Sequence, residues 1–277
     1  MKATYQPKRK KDGMIVDQVL TGGHMLAGGK LQDVHEQSTV QNYNIGTRLV
    51  IDDRVFRYCK AGGALEALKA GHCGVMPREG NCAAVEYPVG SYTITIPENP
   101  NGAKYAEEAV KDYWAEGFIW IQTSPQGMYK IKSSAAASGG FITLTLYEPL
   151  KVKVPASTWI TAWANIYSDI NDTHSARMSN VVVPLISVTS GNYFWGQTWG
   201  PCFGTVVSTT PGRNDGDREV YFHIDGALHS SVDLDFSAGN AFCQRAGFLI
   251  TNTSPWTNAG GNPELGGDQL YMLQLSP

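Results

Sequence analysis

The residues of this chain that could do chemistry are six histidines (His24, His35, His72, His174, His223 and His229), two close carboxylate pairs and five cysteines. In YFHIDG, His223 and Asp225 stand at i and i+2, which on a strand puts both on one face, where a carboxylate could orient an imidazole base. A base needs a nucleophile, and no such residue stands at a recognisable elbow. Asp215 with Asp217, and Asp233 with Asp235, have the spacing of glycosidase carboxylates or of a calcium loop. The first pair lies in the Gly-rich turn PGRNDGDRE and lacks the later glutamate of an EF-hand; the second, in SVDLDF, fits the exposed face of a strand and leaves a Ca²⁺ site open. No histidine belongs to an HExxH pattern or to the H-x-E with P-C-x-x-C pattern of zinc deaminases, and no GxxxxGK[ST] or GxGxxG follows a strand. The sequence therefore signals no catalytic residue, no cofactor and no metal site, and the chain reads as non-enzymatic.

Cys59, Cys73, Cys82, Cys202 and Cys243 are odd in number and scattered, without the close pairs of structural zinc sites, and are expected to be mostly free, buried thiols in a reducing cytoplasm. Tyr193, Phe194, Trp195 and Trp199 cluster along the chain, with Trp256 in a later loop. Exposed rings of this kind could stack on sugar faces; the same cluster can also be core or subunit-interface packing. Lys8, Arg9, Lys10 and Lys11 form a basic run in a polar segment, MKATYQPKRKKDG. These four and the four clustered aromatics are the candidate partner contacts, the basic run lying on an acidic neighbouring subunit.

The elements that would position these residues are strands. Thr47 to Tyr58 reads as a hairpin, TRLVI and RVFRY flanking Asp52 and Asp53, with charges on both faces of the second run, as at an edge or interface. SYTITI (91–96) alternates cleanly, and FIWIQT, MYKIKS, FITLTLYEPL, KVKV and STWITAW follow as a meander. Tyr105, Ala109, Val110 and Tyr113 are at helical spacing, with Glu108 and Lys111 outside, which predicts one short helix over 103–114. From Val181, the runs VVVPLISVT, NYFWGQTW, GTVVSTT, EVYFHID, AFCQRAGFLIT and QLYMLQL predict a second set of strands. The expected fold is all-β, with two or more small antiparallel barrel or sandwich units. The expected division is a flexible basic arm over 1–13, a β-rich domain over 14–165, a linker over 166–180, where apolar content is low, and a second β-rich domain over 181–277.

Composition fits a strand-and-turn protein: 17% charged residues, with 30 Gly and 14 Pro. A net charge of -3 argues against a nucleic-acid partner, which would call for a basic face. No apolar run of about eighteen residues is present and the start lacks a signal-peptide core, so neither membrane insertion nor export is expected.

The stretch YNIGTRLVIDDRVFRYCKAGGAL (43–65) resembles a motif of structural proteins of tailed bacteriophages, a glycine and short hairpin leading through an aromatic strand into an Ala-Gly loop. EGFIWIQTSPQGMYKIKSSAAASGGFITLTLYEPLKVKV (116–154) is similar to the same proteins in layout, as are WGQTWGPC (195–202), DGAL (225–228), AGFLIT (246–251) and GGDQLYMLQLSP (266–277). The resemblance covers most of the chain from about residue 40. It implies a capsid decoration or cement protein, made in the host cytoplasm and carried on the virion's capsid surface. Its partners would be the major capsid protein and copies of itself, a trimer being the stoichiometry that suits local threefold positions. The other readings are a tail-associated adhesin or carbohydrate-binding β module, and a hydrolase on a β scaffold resting on His223 and the carboxylates.

Overall fold

The structure is a computed structural model, and it describes residues 8–9 and 15–16 as backbone and residues 31–98, 108–172, 179–206, 218–230, 244–250 and 269–277 in full. Its strands, in chain order, begin with β1 (Lys8–Arg9), β2 (Ile15–Val16), β3 (Arg48–Ile51), β4 (Arg54–Lys60) and β5 (Gly71–Cys73). Then come β6 (Arg78–Asn81), β7 (Thr93–Pro97), β8 (Phe118–Ile121), β9 (Gly127–Ser134), β10 (Phe141–Leu146) and β11 (Trp159–Trp163). The last are β12 (Ile170–Asn171), β13 (Asn180–Pro184), β14 (Tyr193–Gly204), β15 (Glu219–Phe222), β16 (Leu228–Ser230), β17 (Gln244–Leu249) and β18 (Gln269–Gln274). The all-β expectation holds: the described strands form two curled antiparallel sheets, of six and ten strands, and a separate two-stranded pair, and the described residues contain no α-helix.

The chain divides into two compact units, but not where apolar content suggests. One unit is Met1–Gly74 with Asp169–Pro277; the other is the continuous stretch Val75–Ser168. Only one of the two crossings, after Ser168, falls in the expected linker over 166–180, so the division into 14–165 and 181–277 is corrected. The reason is long-range pairing. β4 hydrogen-bonds to β14, from Tyr193↔Lys60 to Trp199↔Val55, and β5 pairs with β12 and β13, which ties the first seventy residues to the last hundred. Where the chain leaves this unit and returns to it, the Gly74 amide donates to the Asp169 carbonyl at 2.7 Å.

In the discontinuous unit the sheet order is β12-β5-β13-β14-β18-β17-β15-β16, with the β3–β4 hairpin joined through β14. The hairpin at 47–58 is as expected, turning through Asp52 at φ 50°. β4 is not an edge, however: it lies between β3 and β14, and its Val55, Phe56, Tyr58 and Cys59 are buried. Its charges are accommodated locally, Arg57 donating to the carbonyls of Gly46 and Pro277. Lys8 faces Val16 and Arg9 faces Ile15 in a two-stranded pair; the rest of the flexible basic arm expected over 1–13, including Lys10 and Lys11, lies outside the described residues.

WGQTWGPC is a device for bending β14. The strand pairs β4 up to Trp199, then β18 from Trp199 to Gly204, and the register breaks between Gln197 and Trp199. Fully buried Gln197 donates from Nε2 to the carbonyls of Trp199 (3.1 Å) and Pro201 (2.8 Å). Thr198 donates to the Ser276 carbonyl at 2.6 Å. Gly200 sits at φ 93°, and a Cβ there would stand 2.1 Å from the Asp53 carbonyl oxygen, so only glycine fits.

The continuous unit has sheet order β6-β11-β8-β9-β10-β7, with β8-β9-β10 as the expected meander; KVKV contributes only a single bridge, Tyr87↔Val154. Its inner face carries Ile94, Ile96, Ile119, Ile121, Ile131, Ile142, Leu144, Leu146 and Ile160, all buried. The predicted helix over 103–114 is corrected where it is described: residues 108–116 are a single 3₁₀ turn followed by turns, with Asp112 and Glu116 at positive φ. Glu108, expected on the outside, is buried in an ion pair with Arg78, and Trp114, fully buried, donates to the Glu108 carbonyl at 3.0 Å. Residues 103–107 lie outside the described residues.

Candidate functional site: an exposed aromatic face

β11 reads Trp159, Ile160, Thr161, Ala162, Trp163. Strand alternation turns Ile160 and Ala162 into the core and leaves Trp159, Thr161 and Trp163 on the outer face. The register then sets their neighbours. On one side Trp159 faces Asn81 and Thr161 faces Glu79; on the other, Thr161 faces Trp120 and Trp163 faces Phe118. One strand further, Trp120 faces Met128 and Phe118 faces Lys130. Four aromatic rings and a methionine therefore share one surface of three adjacent strands, β11, β8 and β9. Phe118 (41%), Trp159 (44%), Trp163 (38%) and Met128 (70%) remain exposed, whereas Thr161, between the tryptophans, is only 4% exposed. Trp159 and Trp163 are roughly 13 Å apart along the strand, and the rings of neighbouring strands are about 4.8 Å to the side, so the surface is broad.

The surface has a polar rim. Glu79 and Asn81 border it on β6. On the β9 side, Lys130 reaches Glu116 Oε2 at 2.6 Å and lies 5.3 Å from the centre of the Tyr147 ring, and the Tyr147 hydroxyl donates to Glu116 Oε1. Burial, reinforced by the hydrogen bond to Glu116 and its charge, pushes the Tyr147 hydroxyl well above the ordinary tyrosine range. Both oxygens of Glu116 are thus engaged, which makes this group an anchor for the 111–117 turns and gives it no free base.

The aromatic cluster singled out in the sequence lies in the other unit and is used differently. Phe194 and Trp195 are buried, at 0% and 2%. Trp195 packs on Tyr43 and Tyr58 with ring centres 5.0 and 4.9 Å away, and Tyr193, half-buried, stacks on Tyr58. Gln32 ties the group together. Its Oε1 accepts from Tyr58 Oη (2.9 Å) and Asn42 Nδ2 (3.0 Å), its Nε2 donates to the Tyr193 carbonyl (2.9 Å), and its carbonyl accepts from Trp195 Nε1 (3.1 Å). Burial raises the Tyr58 hydroxyl well above its ordinary range. A cluster so buried and so fully hydrogen-bonded is core, so Phe194 and Trp195 are corrected as partner contacts. Trp199 is partly buried in β14; Trp256 lies outside the described residues.

The other candidates resolve as follows. His223 Nδ1 meets Asp225 Oδ1 at 2.8 Å, as their spacing predicts, yet no hydroxyl or thiol hydrogen-bonds the His223 ring among the described residues. Asp215, Asp217, Asp233 and Asp235 lie outside the described residues. Cys59, Cys82 and Cys202 are free, buried thiols, and Cys243 lies outside the described residues; burial pushes Cys202 up to about 12, so it is not poised as a nucleophile. Among the described residues no group of three or more His, Cys, Asp or Glu is placed to hold a metal ion, and no helix is long and apolar enough to cross a membrane.

The alternation that predicts FIWI and WITAW as strands of a meander does not by itself single out the outer aromatic face; a second feature of the two runs does. Each run is apolar at both parities, and an antiparallel strand with one wet face has no need of that. Comparison of the chain with protein-family models, with curated proteins and with solved structures finds no match.

Proposed function

We propose that the chain is a non-enzymatic structural component of a phage capsid, decorating or cementing the outer shell by bridging neighbouring capsid subunits, with the Trp159–Trp163 face as the surface laid against a neighbour. The observation that carries the reading is that face: Phe118, Trp159, Trp163 and Met128 exposed together on one sheet within a polar rim. Exposed apolar patches of this sort mark interaction surfaces, and tryptophans at their centres carry much of the binding energy. The shell as the partner rests on the phage-like motifs at 43–65, 116–154 and 195–202. Low charge, 17% of residues, fits a mechanical role, in which many contacts repeated by symmetry add up to large stabilisation.

The test is location and occupancy. Purified particles should carry the chain in copies proportional to capsomers, and Trp159→Ala with Trp163→Ala should reduce occupancy by on the order of 30-fold in affinity, the loss of about 2 kcal/mol. Particles lacking the chain, or holding a handful of copies at the tail, would overturn the reading.

A second reading draws on the same face. Flat rings on either side of Thr161, bordered by Asn81, have the makings of a platform on which sugar rings stack, as in a tail-associated adhesin or carbohydrate-binding module. Glycan-array binding that disappears on Trp159→Ala, with shell occupancy unchanged, would select it.

A further inference from the structure

The β15–β16 hairpin presents two histidines on its outer face. In its register Tyr221 faces His229 and Phe222 faces Leu228, and the His223 amide donates to the Ala227 carbonyl at 2.8 Å, continuing the ladder one pair further. Val220, Phe222 and Leu228 fill the core, so Glu219, Tyr221, His223 and His229 lie on the opposite face, with the two histidines as diagonal neighbours. Their rings are nearly parallel, 5.6 Å between centres and 16° between planes.

The hydrogen bonds determine which nitrogens are free. His229 Nδ1 is 3.0 Å from the Ser230 carbonyl oxygen, which can only accept, so Nδ1 carries the proton. His223 Nδ1 is 2.8 Å from Asp225 Oδ1, against 3.5 Å for the Asp225 amide; the carboxylate, the closer partner, assigns the proton to Nδ1 here too. Both Nε2 atoms are left as bare lone pairs, and neither has a hydrogen-bond partner among the described residues. An imidazole whose Nδ1–H is tied to a carboxylate or a backbone carbonyl is the usual form of a metal-binding histidine, because the tie fixes both tautomer and orientation. Here two adjacent rings are prepared in that way, one by each kind of partner.

We propose that His223 and His229 form a two-imidazole site for a divalent ion of the zinc, nickel and copper class, bound through the two Nε2 atoms with water or an external chelator in the remaining positions. Ligation at about 2.1 Å in adjacent positions requires the two nitrogens to come within roughly 3.0–3.4 Å of each other, so the stacked rings must tip together; His223 is 30% exposed and His229 partly so, which leaves room for it. Asp225 is the orienting group: its Oδ1 accepts from His223 Nδ1 and, at 3.1 Å, from the Ala227 amide. Nearby charges balance, since Lys69 pairs with Glu66 at 2.6 Å and, along the same face, Arg245 pairs with Glu219 at 3.3 Å. The site is independent of the aromatic face and of the shell reading.

The test uses the untagged full chain and Ni²⁺ held by nitrilotriacetate, which leaves two adjacent positions open and so selects paired imidazoles. Calorimetry should show one equivalent bound, and His223→Ala or His229→Ala should each weaken binding by 10-fold or more. The double variant should lose little beyond either single one, because the chelate is gone with the first ring. Asp225→Asn should weaken binding by about 10-fold while leaving the fold intact by circular dichroism. With Zn²⁺ and ¹⁵N-labelled protein, the Nε2 resonances of both residues should shift while Nδ1 stays protonated. Wild-type affinity in either single variant, or an equal loss in His35→Ala or His72→Ala, would overturn the proposal.

Discussion

Trp195 and Trp159 are the same side chain, each on a central strand of an antiparallel sheet, and they do opposite things. Trp195 faces inward, packed against Tyr43 and Tyr58 and hydrogen-bonded through its indole nitrogen to Gln32. Trp159 faces outward from a strand whose other side already fills a core with Ile160 and Ala162. Density of aromatics along the chain thus marks where rings are, whereas the state of the strand's second face decides what they do. A ring becomes available for binding when the opposite parity has already supplied the core.

The largest way to break this contrast is in the core. Trp195→Ala should destabilise the protein by about 3–5 kcal/mol, since it leaves a cavity beneath Tyr43 and Tyr58. Urea unfolding followed by circular dichroism measures it, and a loss below about 1 kcal/mol would show that the cluster is not packed as described.

Backbone geometry gives the next step down. Gly200 in the bend of β14 and Gly139 in the turn before β10 both have positive φ, 93° and 61°, but a Cβ on Gly200 meets the Asp53 carbonyl oxygen at 2.1 Å and one on Gly139 meets nothing within 4 Å. Gly139→Ala should therefore cost only the left-handed conformation, about 1 kcal/mol, and Gly200→Ala should cost on the order of 3 kcal/mol because the β4–β14 pairing must also give way. Equal costs would mean that the bend of β14 yields readily.

These two cases also show how far the sequence could be read. The hairpin at 47–58, the strands at 93–97 and 141–146 and the all-β class were readable because they depend on alternation and turn residues a few positions apart. The division into units was not, because β4 finds β14 across more than a hundred residues, and nothing local in RVFRY or NYFWGQTW names its partner. The helix over 103–114 failed for a related reason: Arg78, far away in sequence, takes Glu108 into the core and overrides the local spacing. The binding face was half visible in the two-sided apolar runs FIWI and WITAW. The denser cluster at 193–199 gives the stronger aromatic signal in the sequence, yet it is held in the core with Gln32 and Asn42, residues that carry no signal of their own.

Ionisation sharpens the contrast at smaller cost. The hydroxyls of Tyr43, Tyr58 and Tyr271 are raised by burial above the ordinary value, which is about 10. A raised pKa in the folded state means that the unfolded chain releases these protons first, so stability is full below about pH 10 and declines as pH rises beyond it. Absorbance at 295 nm should show these phenols ionising only together with unfolding, and urea midpoints should fall between pH 9 and pH 11. Free titration near pH 10 with the fold intact would show that water reaches the Tyr43–Tyr58–Trp195 group.

The smallest effect expected is the most informative about the outer face. Trp159→Ala and Trp163→Ala remove partly exposed rings whose register partners are cross-strand neighbours, and such pairs contribute about 0.2–1 kcal/mol. Each variant should therefore unfold within about 1 kcal/mol of the parent, and iodide, which quenches only solvent-exposed indoles, should lose part of its effect. Thr161 is the internal check. It is 4% exposed and stands between the two tryptophans on the strand, and any uncovering of its hydroxyl carries little penalty, because a hydroxyl is well solvated by water. A double variant that folds normally but no longer occupies its partner separates binding from stability. A double variant that unfolds like Trp195→Ala would place the outer face among the structural aromatics, and the contrast between the two units would be gone.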